Sequence, residues 1–322
     1  MLKENKSYNI IRTAVVGLGN VGLLYDLKKK TIHTHCEAVH KNSKFILECG
    51  IDINRGRRKI FNKKYHKPSY ESYKSALLNH KIDFLILSAN TKLQFKIFKE
   101  IIEKNTPKFI LLEKPGGKNF SELKNIFRIC EKKNIRIFIN YNRDYINEFN
   151  KLKINIKKLD YTKIVFWYSR GLYNNCSHLL NFIVGVYGKP KKIIFLQKYK
   201  NFSNEVDFDF KLNYLNSEVY FFCTPLKNIS HNEISLCSKK YKIYSKNDFN
   251  DIYQKEIIKY KGKKHFKKQQ LIFKQSKNMQ KDILDQLYEN YFFRGDNYKK
   301  LQKNNLLTLK IFEKLRINDK NN

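Results

Sequence analysis

The first half of the chain consists of short, mostly apolar runs separated by amphipathic stretches. Each of five runs rich in β-branched and aliphatic residues is long enough for one buried strand. The runs cover residues 10–16, 45–51, 82–88, 108–112 and 135–140. Between the later runs, apolar residues at helical spacing predict a helix over 91–104 and a second from Ser121, its expected cap, to about Lys133. The alternation predicts an α/β domain on a parallel sheet covered on both faces.

The alternation of predicted strands and helices stops after Asp144. Residues 161–168 predict a strand and residues 175–187 predict a helix that precedes a long series of strand-like runs. A chain of 322 residues is also long enough for two cores. We therefore expect two domains, with boundaries at 1–143 and 144–322.

The strand-like runs of the second half differ from those of the first. They are KKIIFLQKY, EVDFDFKLNY, SEVYFFCTP, EISLCS and KKYKIYS. Polar and apolar residues alternate over 205–210, which predicts an antiparallel sheet with one packed and one exposed face. Two amphipathic helices are predicted over 279–290 and 304–315.

A glycine motif follows the first predicted strand directly. Residues 17–22 read GLGNVG, and GxGxxG after a strand is typical of dinucleotide-binding folds. In such folds the first glycine permits a tight turn, the second lets the backbone approach the pyrophosphate, and the third allows close helix packing. The predicted cofactor-binding residues here are Gly17, Gly19, Asn20, Val21 and Gly22.

Asp52 ends the second strand, where a carboxylate can hold the adenosine ribose. It lies 30 residues after Gly22 rather than about 20. We interpret the surplus, within LYDLKKKTIHTHCEAVHKN, as an insertion that splits the first helix, with 35–40 resuming it. The carboxylate favours NAD, but NADP stays open because three nearby arginines could pair with a 2′-phosphate. They are Arg55, Arg57 and Arg58.

Further polar residues follow the later strands. Ligands of parallel sheets bind at the carboxyl ends of the strands, so these residues are predicted to contact the cofactor. They are Ser88, Asn90, Glu113, Lys114 and Asn140.

The ordered set of motifs resembles the glucose-fructose oxidoreductase, inositol dehydrogenase and rhizopine dehydrogenase (Gfo/Idh/MocA) family. The resemblance rests on GLGNVG, on EKP at 113–115, on INYNR at 139–143 and on GLYNNCSHLLNFIVGVYGKP at 171–190. The segments YDLKKKTIHTH and RGLYNNCSH look most similar to the branch found with surface-polysaccharide and glycan-sugar pathways.

The resemblance implies a Rossmann domain followed by a substrate-binding and oligomerisation domain with an open antiparallel sheet. It implies an NAD(P)-dependent oxidoreductase that transfers a hydride at a secondary alcohol or ketone of a sugar or nucleotide-sugar, and a homo-oligomer formed through that sheet. Lys114 and His178 fall on the catalytic positions, and Asn174 and Asn181 join them as substrate-binding candidates. The bond before Pro115 is often cis in this family.

The sequence also departs from the family pattern. Where the family commonly has Asp-x-Gly-x-His-x-x-Asp, this chain has Asn174, Cys176, His178 and Asn181. The family's Thr-Pro and His after the third cofactor-side strand appear as Ala89-Asn90 and Gln94. A polyol or cyclitol dehydrogenase, and a catalytically weakened dinucleotide-binding protein, therefore stay open. Ordinary structural roles also stay open. Lys114 could be a solvated loop lysine, His178 a capping or buried histidine, and Asn140 a purely structural residue.

The net charge of +36 adds little to this interpretation. Lysines outnumber arginines 55 to 10, which is typical of A/T-rich coding rather than of base readout. Residues 255–270 gather lysines and aromatics that could bind nucleic acid, but we favour a solvated sheet edge. The positive field could still attract anionic dinucleotides and phosphorylated sugars.

The six cysteines form no CxxC pair, which is typical of a reducing compartment. His33, His35 and Cys36 lack metal-ligand spacing, so we expect no metal. No apolar run reaches about 18 residues, and the amino terminus lacks a signal-peptide pattern. We expect a cytoplasmic protein without a membrane partner.

Overall fold

The computed structural model describes residues 9–104, 107–200, 206–224, 230–293 and 298–318. The chain divides into two compact units. The first contains residues 1–142 and 276–302, and the second contains 143–275 and 303–322. The predicted boundary between 143 and 144 stays a prediction, but residues 276–302 lie with the first unit rather than with the second half of the chain.

The sheet of the first unit has six parallel strands in the order β3-β2-β1-β4-β5-β6. The strands are β1 (Ile11–Val16), β2 (Phe45–Ile51), β3 (Ser69–Tyr70), β4 (Phe84–Leu87), β5 (Phe109–Leu112) and β6 (Arg136–Ile139). All residues of β4 and β5 are buried, as the unbroken apolar runs require. The predicted α/β class with a parallel sheet is confirmed, and the strand order reverses beside β1.

The α-helices of the described residues agree with most of the predicted positions. They are α1 (His35–His40), α2 (Arg55–Tyr65), α3 (Tyr73–Asn79), α4 (Thr91–Lys104), α5 (Phe120–Lys132), α6 (Asn147–Lys157), α7 (Ser177–Tyr187), α8 (Met279–Leu287) and α9 (Tyr298–Asn318). None of them is long and apolar enough to cross a membrane.

The predicted cap of α5 is wrong. Asn119, and not Ser121, is the N-cap, and its side-chain oxygen accepts a hydrogen bond from the backbone N–H of Glu122 at 2.8 Å. Glu122 in turn accepts one from the N–H of Lys118 at 3.0 Å. Asn119 has the extended backbone that capping requires, whereas Ser121 already lies inside the helix.

Aromatic packing explains why residues 276–302 belong to the first unit. The Phe292 ring stacks on Phe109 with centroids 4.0 Å apart and meets Phe84 edge-on at 5.0 Å. Arg136 donates hydrogen bonds to the carbonyls of Tyr291 and Phe292 at 2.8 and 2.9 Å. The segment after α8 therefore covers the amino ends of β4, β5 and β6.

The sheet of the second unit has nine strands, and all pairs are antiparallel except β7 with β10. The strands are β7 (Thr162–Tyr168), β8 (Lys192–Lys200), β9 (Val206–Asn213), β10 (Ser217–Cys223), β11 (Glu233–Ser238), β12 (Tyr241–Lys246), β13 (Asp251–Tyr260), β14 (Lys263–Phe266) and β15 (Gln270–Lys274). Ile164 and Phe166 of β7 are fully buried, whereas Trp167 is 40 % exposed. One face is packed and the other is open, as predicted.

Two details of this sheet bear on the sequence interpretation. β14 is the terminal strand and is exposed throughout, so the lysine-rich segment does form a solvated sheet edge. On β9, however, the expectation of exposed polar residues is wrong, because Asp207 and Asp209 are buried. The Asp209 carboxylate accepts hydrogen bonds from the Cys223 N–H at 2.7 Å and from the Tyr199 hydroxyl at 2.9 Å. These polar partners allow its burial.

Candidate functional site

The loop after β1 packs against the loop after β4, and two of its glycines are required by that packing. Gly17 has φ +92°, and a Cβ there would lie 2.8 Å from the backbone nitrogen of Ala89. A Cβ on Gly22 would lie 2.0 Å from the Gly17 carbonyl oxygen. The Ser88 hydroxyl donates to that same oxygen at 2.6 Å, so Ser88 joins β4 to the glycine loop.

Gly19 differs from the other two glycines of the motif. A Cβ built on Gly19 would meet only the Arg57 guanidinium, at 3.9 Å. Packing within the described residues therefore does not require glycine here. In dinucleotide-binding folds the glycine at this position lets the pyrophosphate approach the backbone, and this role of Gly19 stays a prediction.

The insertion is an excursion from the first helix, as predicted. The N–H groups of His35 and Cys36 bond to the carbonyls of Val21 and Gly22, each at 3.0 Å. His35 thus takes the helical position that residue 25 would otherwise hold, so ten residues, 25–34, are inserted. They account for a spacing of 30 rather than about 20 between Gly22 and Asp52.

Asp26 organises the inserted segment, a role that no sequence motif signalled. Its buried carboxylate accepts hydrogen bonds from the backbone N–H groups of His33 and Thr34 at 2.7 and 2.5 Å. The Thr31 hydroxyl donates a third at 3.1 Å. A single buried side chain therefore fixes where the chain re-enters α1.

Asp52 lies at the end of β2, beside the glycine loop. Its carboxylate accepts hydrogen bonds from the Leu18 N–H at 2.7 Å and from the Asn54 N–H at 2.8 Å. The Arg57 guanidinium lies 3.4 Å away, while Arg58 donates to the Asp52 carbonyl at 2.7 Å. Asp52 thus holds the glycine loop through the Leu18 N–H, and its contact with a ribose stays a prediction.

Asn90 and Gln94 lie at the start of α4, the helix that follows β4. The exposed Asn90 accepts a hydrogen bond from the Lys92 N–H at 2.9 Å and so caps α4. Gln94, which stands at a position where the family has His, is buried, and its amide donates to the carbonyls of Ala89 at 3.1 Å and Glu113 at 3.2 Å. Gln94 therefore joins the edges of β4 and β5.

Glu113 connects three elements at the carboxyl edge of the sheet. Its Oε1 accepts hydrogen bonds from His35 Nε2 at 2.7 Å and from Asn140 Nδ2 at 2.6 Å. Burial by itself would raise the pKa of Glu113, but its bonds to His35 and Asn140 and the nearby Lys114 cation lower that pKa below its ordinary value. Glu113 is therefore a carboxylate held by His35 at the start of α1 and by Asn140 directly after β6.

Lys114 is half-buried and follows Glu113 directly. The Lys114–Pro115 bond is cis, as the resemblance implied. Gly116, at φ +83°, packs so tightly that a Cβ would lie 2.4 Å from the Ile139 Cδ1 atom. The turn that carries Lys114 is thus packed against the end of β6.

The candidates of the second unit lie around the start of α7. A π-helical turn, Leu172–Cys176, precedes that helix. Asn174 is exposed within this turn, and His178 is half-buried in the first turn of α7. Asn181 is buried, and its amide donates to Asn305 Oδ1 at 2.9 Å and Thr308 Oγ1 at 3.4 Å, both on α9. These two contacts of Asn181 join α7 to α9.

The described residues offer no group of three or more His, Cys, Asp or Glu side chains that could hold a metal ion. Burial raises the pKa of the Cys49 and Cys130 thiols to about 12, which makes them poor nucleophiles and ligands. The chemistry near the sheet edge instead comes from glycine backbone, carboxylates, amides and one lysine.

This arrangement defines a class of protein, an α/β domain that binds a dinucleotide at the reversal of strand order. Residues 11–141 match the family described as the oxidoreductase family with an NAD-binding Rossmann fold, GFO_IDH_MocA. The chain carries the nucleotide-binding domain of this family, as the resemblance implied. It is therefore an oxidoreductase, and its cofactor is NAD or NADP.

Solved structures with the same fold cover nearly the whole chain. The dehydrogenase MviM of Clostridium difficile has a TM-score of 0.69 and 15 % identity, covering 97 % of this chain and 99 % of that one. An oxidoreductase of Agrobacterium radiobacter, in complex with NAD+, L-tartaric acid and magnesium, has a TM-score of 0.67 and 14 % identity and covers 94 % of each chain.

KijD10, a 3-ketoreductase of Actinomadura kijaniata in complex with NADP, has a TM-score of 0.74 and 10 % identity, covering 96 % of this chain and 97 % of that one. At such identities the likeness shows the fold alone. Since the matches cover 94 to 97 % of this chain, the likeness extends to the sheet of the second unit. No curated protein sequence matches the chain at a significant level.

Proposed function

We propose that the protein transfers a hydride between NAD(P) and a secondary alcohol or ketone of a sugar or nucleotide-sugar. The observation that carries the proposal is the open backbone at Gly19 beside Asp52, since no packing of the described residues requires that glycine. The ordered polar groups after β4, β5 and β6 support a ligand that extends along the same edge.

Lys114 would act on the reacting oxygen. Its cation lies close enough to Glu113 to lower the carboxyl pKa, so it forms part of this charged edge. When a hydroxyl loses its proton as its carbon loses a hydride, negative charge develops on oxygen, and a nearby ammonium group stabilises that charge. Bound NAD(P) supplies the acceptor for the hydride.

His178 would take the hydroxyl proton, and return it in the reverse direction. An imidazole titrates near neutrality, which suits a group that must both accept and donate a proton. His178 is half-buried in the first turn of α7. We propose Asn174, exposed in the turn before α7, and Asn181 as its companions toward the substrate hydroxyls.

The proposed substrate class rests on chemistry and on one relative. A mutant of KijD10 was crystallised in complex with TDP-benzene and NADP, so a protein of this fold forms a complex with a ligand that contains a nucleoside diphosphate. The excess of 36 positive charges on the present chain would favour an anionic nucleotide-sugar. A role in glycan or surface-polysaccharide biosynthesis and a cytoplasmic location stay predictions from the resemblance.

A catalytically weakened dinucleotide-binding protein is the second candidate. The two acids that the family places around the histidine are amides here, and Asn181 directs its amide to α9. Without these carboxylates an imidazolium is less stabilised and substrate hydroxyls are held less strongly.

A panel of nucleotide-sugars, assayed by the change in cofactor absorbance, separates the two candidates. Hydride transfer with at least one of them is expected, and His178→Ala should lower kcat by about 100-fold or more while NADH binding persists. His265→Ala, on the exposed β14, is the matched control. Turnover that survives in His178→Ala would contradict the catalytic role, and NADH binding without turnover on any substrate would favour the second candidate.

We also propose that the open face of the second sheet is an association surface between copies of the chain. Trp167 is 40 % exposed there, and its ring lies near those of Phe222 at 5.3 Å and His231 at 6.1 Å between ring centroids. An exposed aromatic patch of this kind is typical of an interface. Analytical ultracentrifugation should show an oligomer that Trp167→Lys dissociates, whereas a monomeric native protein would contradict this proposal.

A further inference from the structure

Two buried acceptor atoms lie on the side chains that Glu113 holds. His35 is fully buried and Asn140 is 3 % exposed. The Nδ1 atom of His35 and the Oδ1 atom of Asn140 have no hydrogen-bond partner among the described residues. A buried polar atom left unpaired costs free energy, so each atom calls for a partner that the described residues do not supply.

Glu113 fixes the hydrogen-bonding role of both side chains. Its Oε1 is 2.7 Å from His35 Nε2 and 2.6 Å from Asn140 Nδ2. An ionised carboxylate can only accept, so both nitrogens must donate. In the neutral imidazole this leaves Nδ1 as an acceptor, and in the amide it leaves Oδ1 as an acceptor. Glu113 therefore sets the histidine tautomer and the amide orientation together.

The place of these atoms in the sheet selects a half of the dinucleotide. The strand order reverses at β1, with β2 and β3 on one side and β4, β5 and β6 on the other. Asp52 directly follows β2 on the adenosine side, whereas Glu113 and Asn140 directly follow β5 and β6. A dinucleotide bound across the reversal therefore has its nicotinamide half over β4 to β6.

We propose that His35 Nδ1 and Asn140 Oδ1 form a two-acceptor subsite for the amino group of the nicotinamide carboxamide. That NH₂ group is the part of the nicotinamide ring that donates two hydrogen bonds, which matches two acceptors. The proposal rests on dinucleotide binding by the first unit. It gives the inserted segment a function, because the insertion of residues 25–34 places His35 at the start of α1, where its ring contacts Glu113.

Three probes separate the carboxamide from the rest of the cofactor. NADH carries the amino group, the reduced 3-acetylpyridine analogue replaces it by methyl and keeps the carbonyl, and ADP-ribose lacks the ring altogether. Two hydrogen bonds of ordinary net strength predict that the native protein binds NADH about ten- to a hundredfold more tightly than the analogue.

His35→Gln removes the Nδ1 acceptor, while its amide nitrogen can still donate to Glu113. We expect its preference for NADH over the analogue to fall about three- to tenfold, with ADP-ribose affinity unchanged. His33→Gln, the same change in the inserted segment, should keep the native preference. Asn140→Ala, which removes the other acceptor, should lower the preference by a similar factor and provides a second variant if His35→Gln does not fold.

Equal binding of NADH and the analogue by the native protein would overturn the subsite while leaving the dinucleotide site intact. An unchanged preference in both His35→Gln and Asn140→Ala would overturn it as well. Absence of NADH and ADP-ribose binding in the native protein would instead refute the proposed function and this inference together.

Discussion

Gly22 stands so close to Gly17 that a Cβ on Gly22 would lie 2.0 Å from the Gly17 carbonyl oxygen. The same oxygen accepts the Ser88 hydroxyl at 2.6 Å. The contact fixes the loop between β1 and the helix that follows, before any ligand is considered. The packing thus requires two of the three glycines of the motif, and Gly19 is the one that we propose for contact with the cofactor.

Gly22→Ala should therefore destabilise the protein far more than Gly19→Ala. The added methyl group at position 22 would overlap backbone, which should cost about 2 kcal/mol or more in the free energy of unfolding. At position 19 it would meet only a flexible arginine at 3.9 Å, so stability should change little. Urea unfolding of the two variants beside the native protein provides the measurement, and equal losses would contradict the assignment.

Asn119→Ala should lower the free energy of unfolding by about 1 kcal/mol, because it removes the acceptor for the Glu122 N–H at the start of α5. Ser121→Ala is the matched control, since Ser121 lies inside the helix, and it should have a much smaller effect. A larger loss in Ser121→Ala than in Asn119→Ala would show that the cap is misassigned.

The native protein should bind NADH more tightly than NADPH, because the Asp52 carboxylate would repel a 2′-phosphate. Asp52→Asn keeps an acceptor for the Leu18 N–H but removes the charge, and should shift the ratio of the two dissociation constants toward NADPH by roughly tenfold. Arg57→Ala removes the cation 3.4 Å from that carboxylate and should shift the ratio the other way. A native preference for NADPH would contradict the role of Asp52.

Glu113 should make stability depend on pH in a defined direction. Its pKa is lowered in the folded protein, so the stabilisation is fully present above its ordinary pKa of 4.5 and is lost as the pH falls through the lower, folded value. Glu113→Gln removes this contribution. Unfolding free energies of the native and Glu113→Gln proteins should therefore converge on acidification below pH 4.5, and parallel pH curves would contradict the assignment.

Local patterns predicted the sheet edge well because they depend on short stretches of chain. The glycine motif follows β1, β2 ends one residue before Asp52, and the spacing to Asp52 indicated an insertion that the helix bonds of His35 and Cys36 confirm. Fully buried strands such as β4 and β5 need apolar side chains on both faces, and that requirement is legible in the sequence.

Contacts between distant segments were not predictable in the same way. Asp26 lies in the inserted segment and His35 directly follows it. Nothing local shows that Asp26 organises this segment or that His35 bonds to Glu113, 78 residues away. Asp209 follows the alternation of an exposed strand, yet partners on β8 and β10 bury it. Such roles depend on tertiary neighbours rather than on residue type.

The central claim is that the glycine loop after β1 holds NAD(P), and fluorescence titration with NADH tests it most directly. The native protein should show saturable binding, and Gly19→Val should abolish it while unfolding with a native-like transition, because its side chain would occupy the space open at Gly19. Saturable NADH binding of equal affinity in Gly19→Val, or no saturable binding by the native protein, would contradict the account.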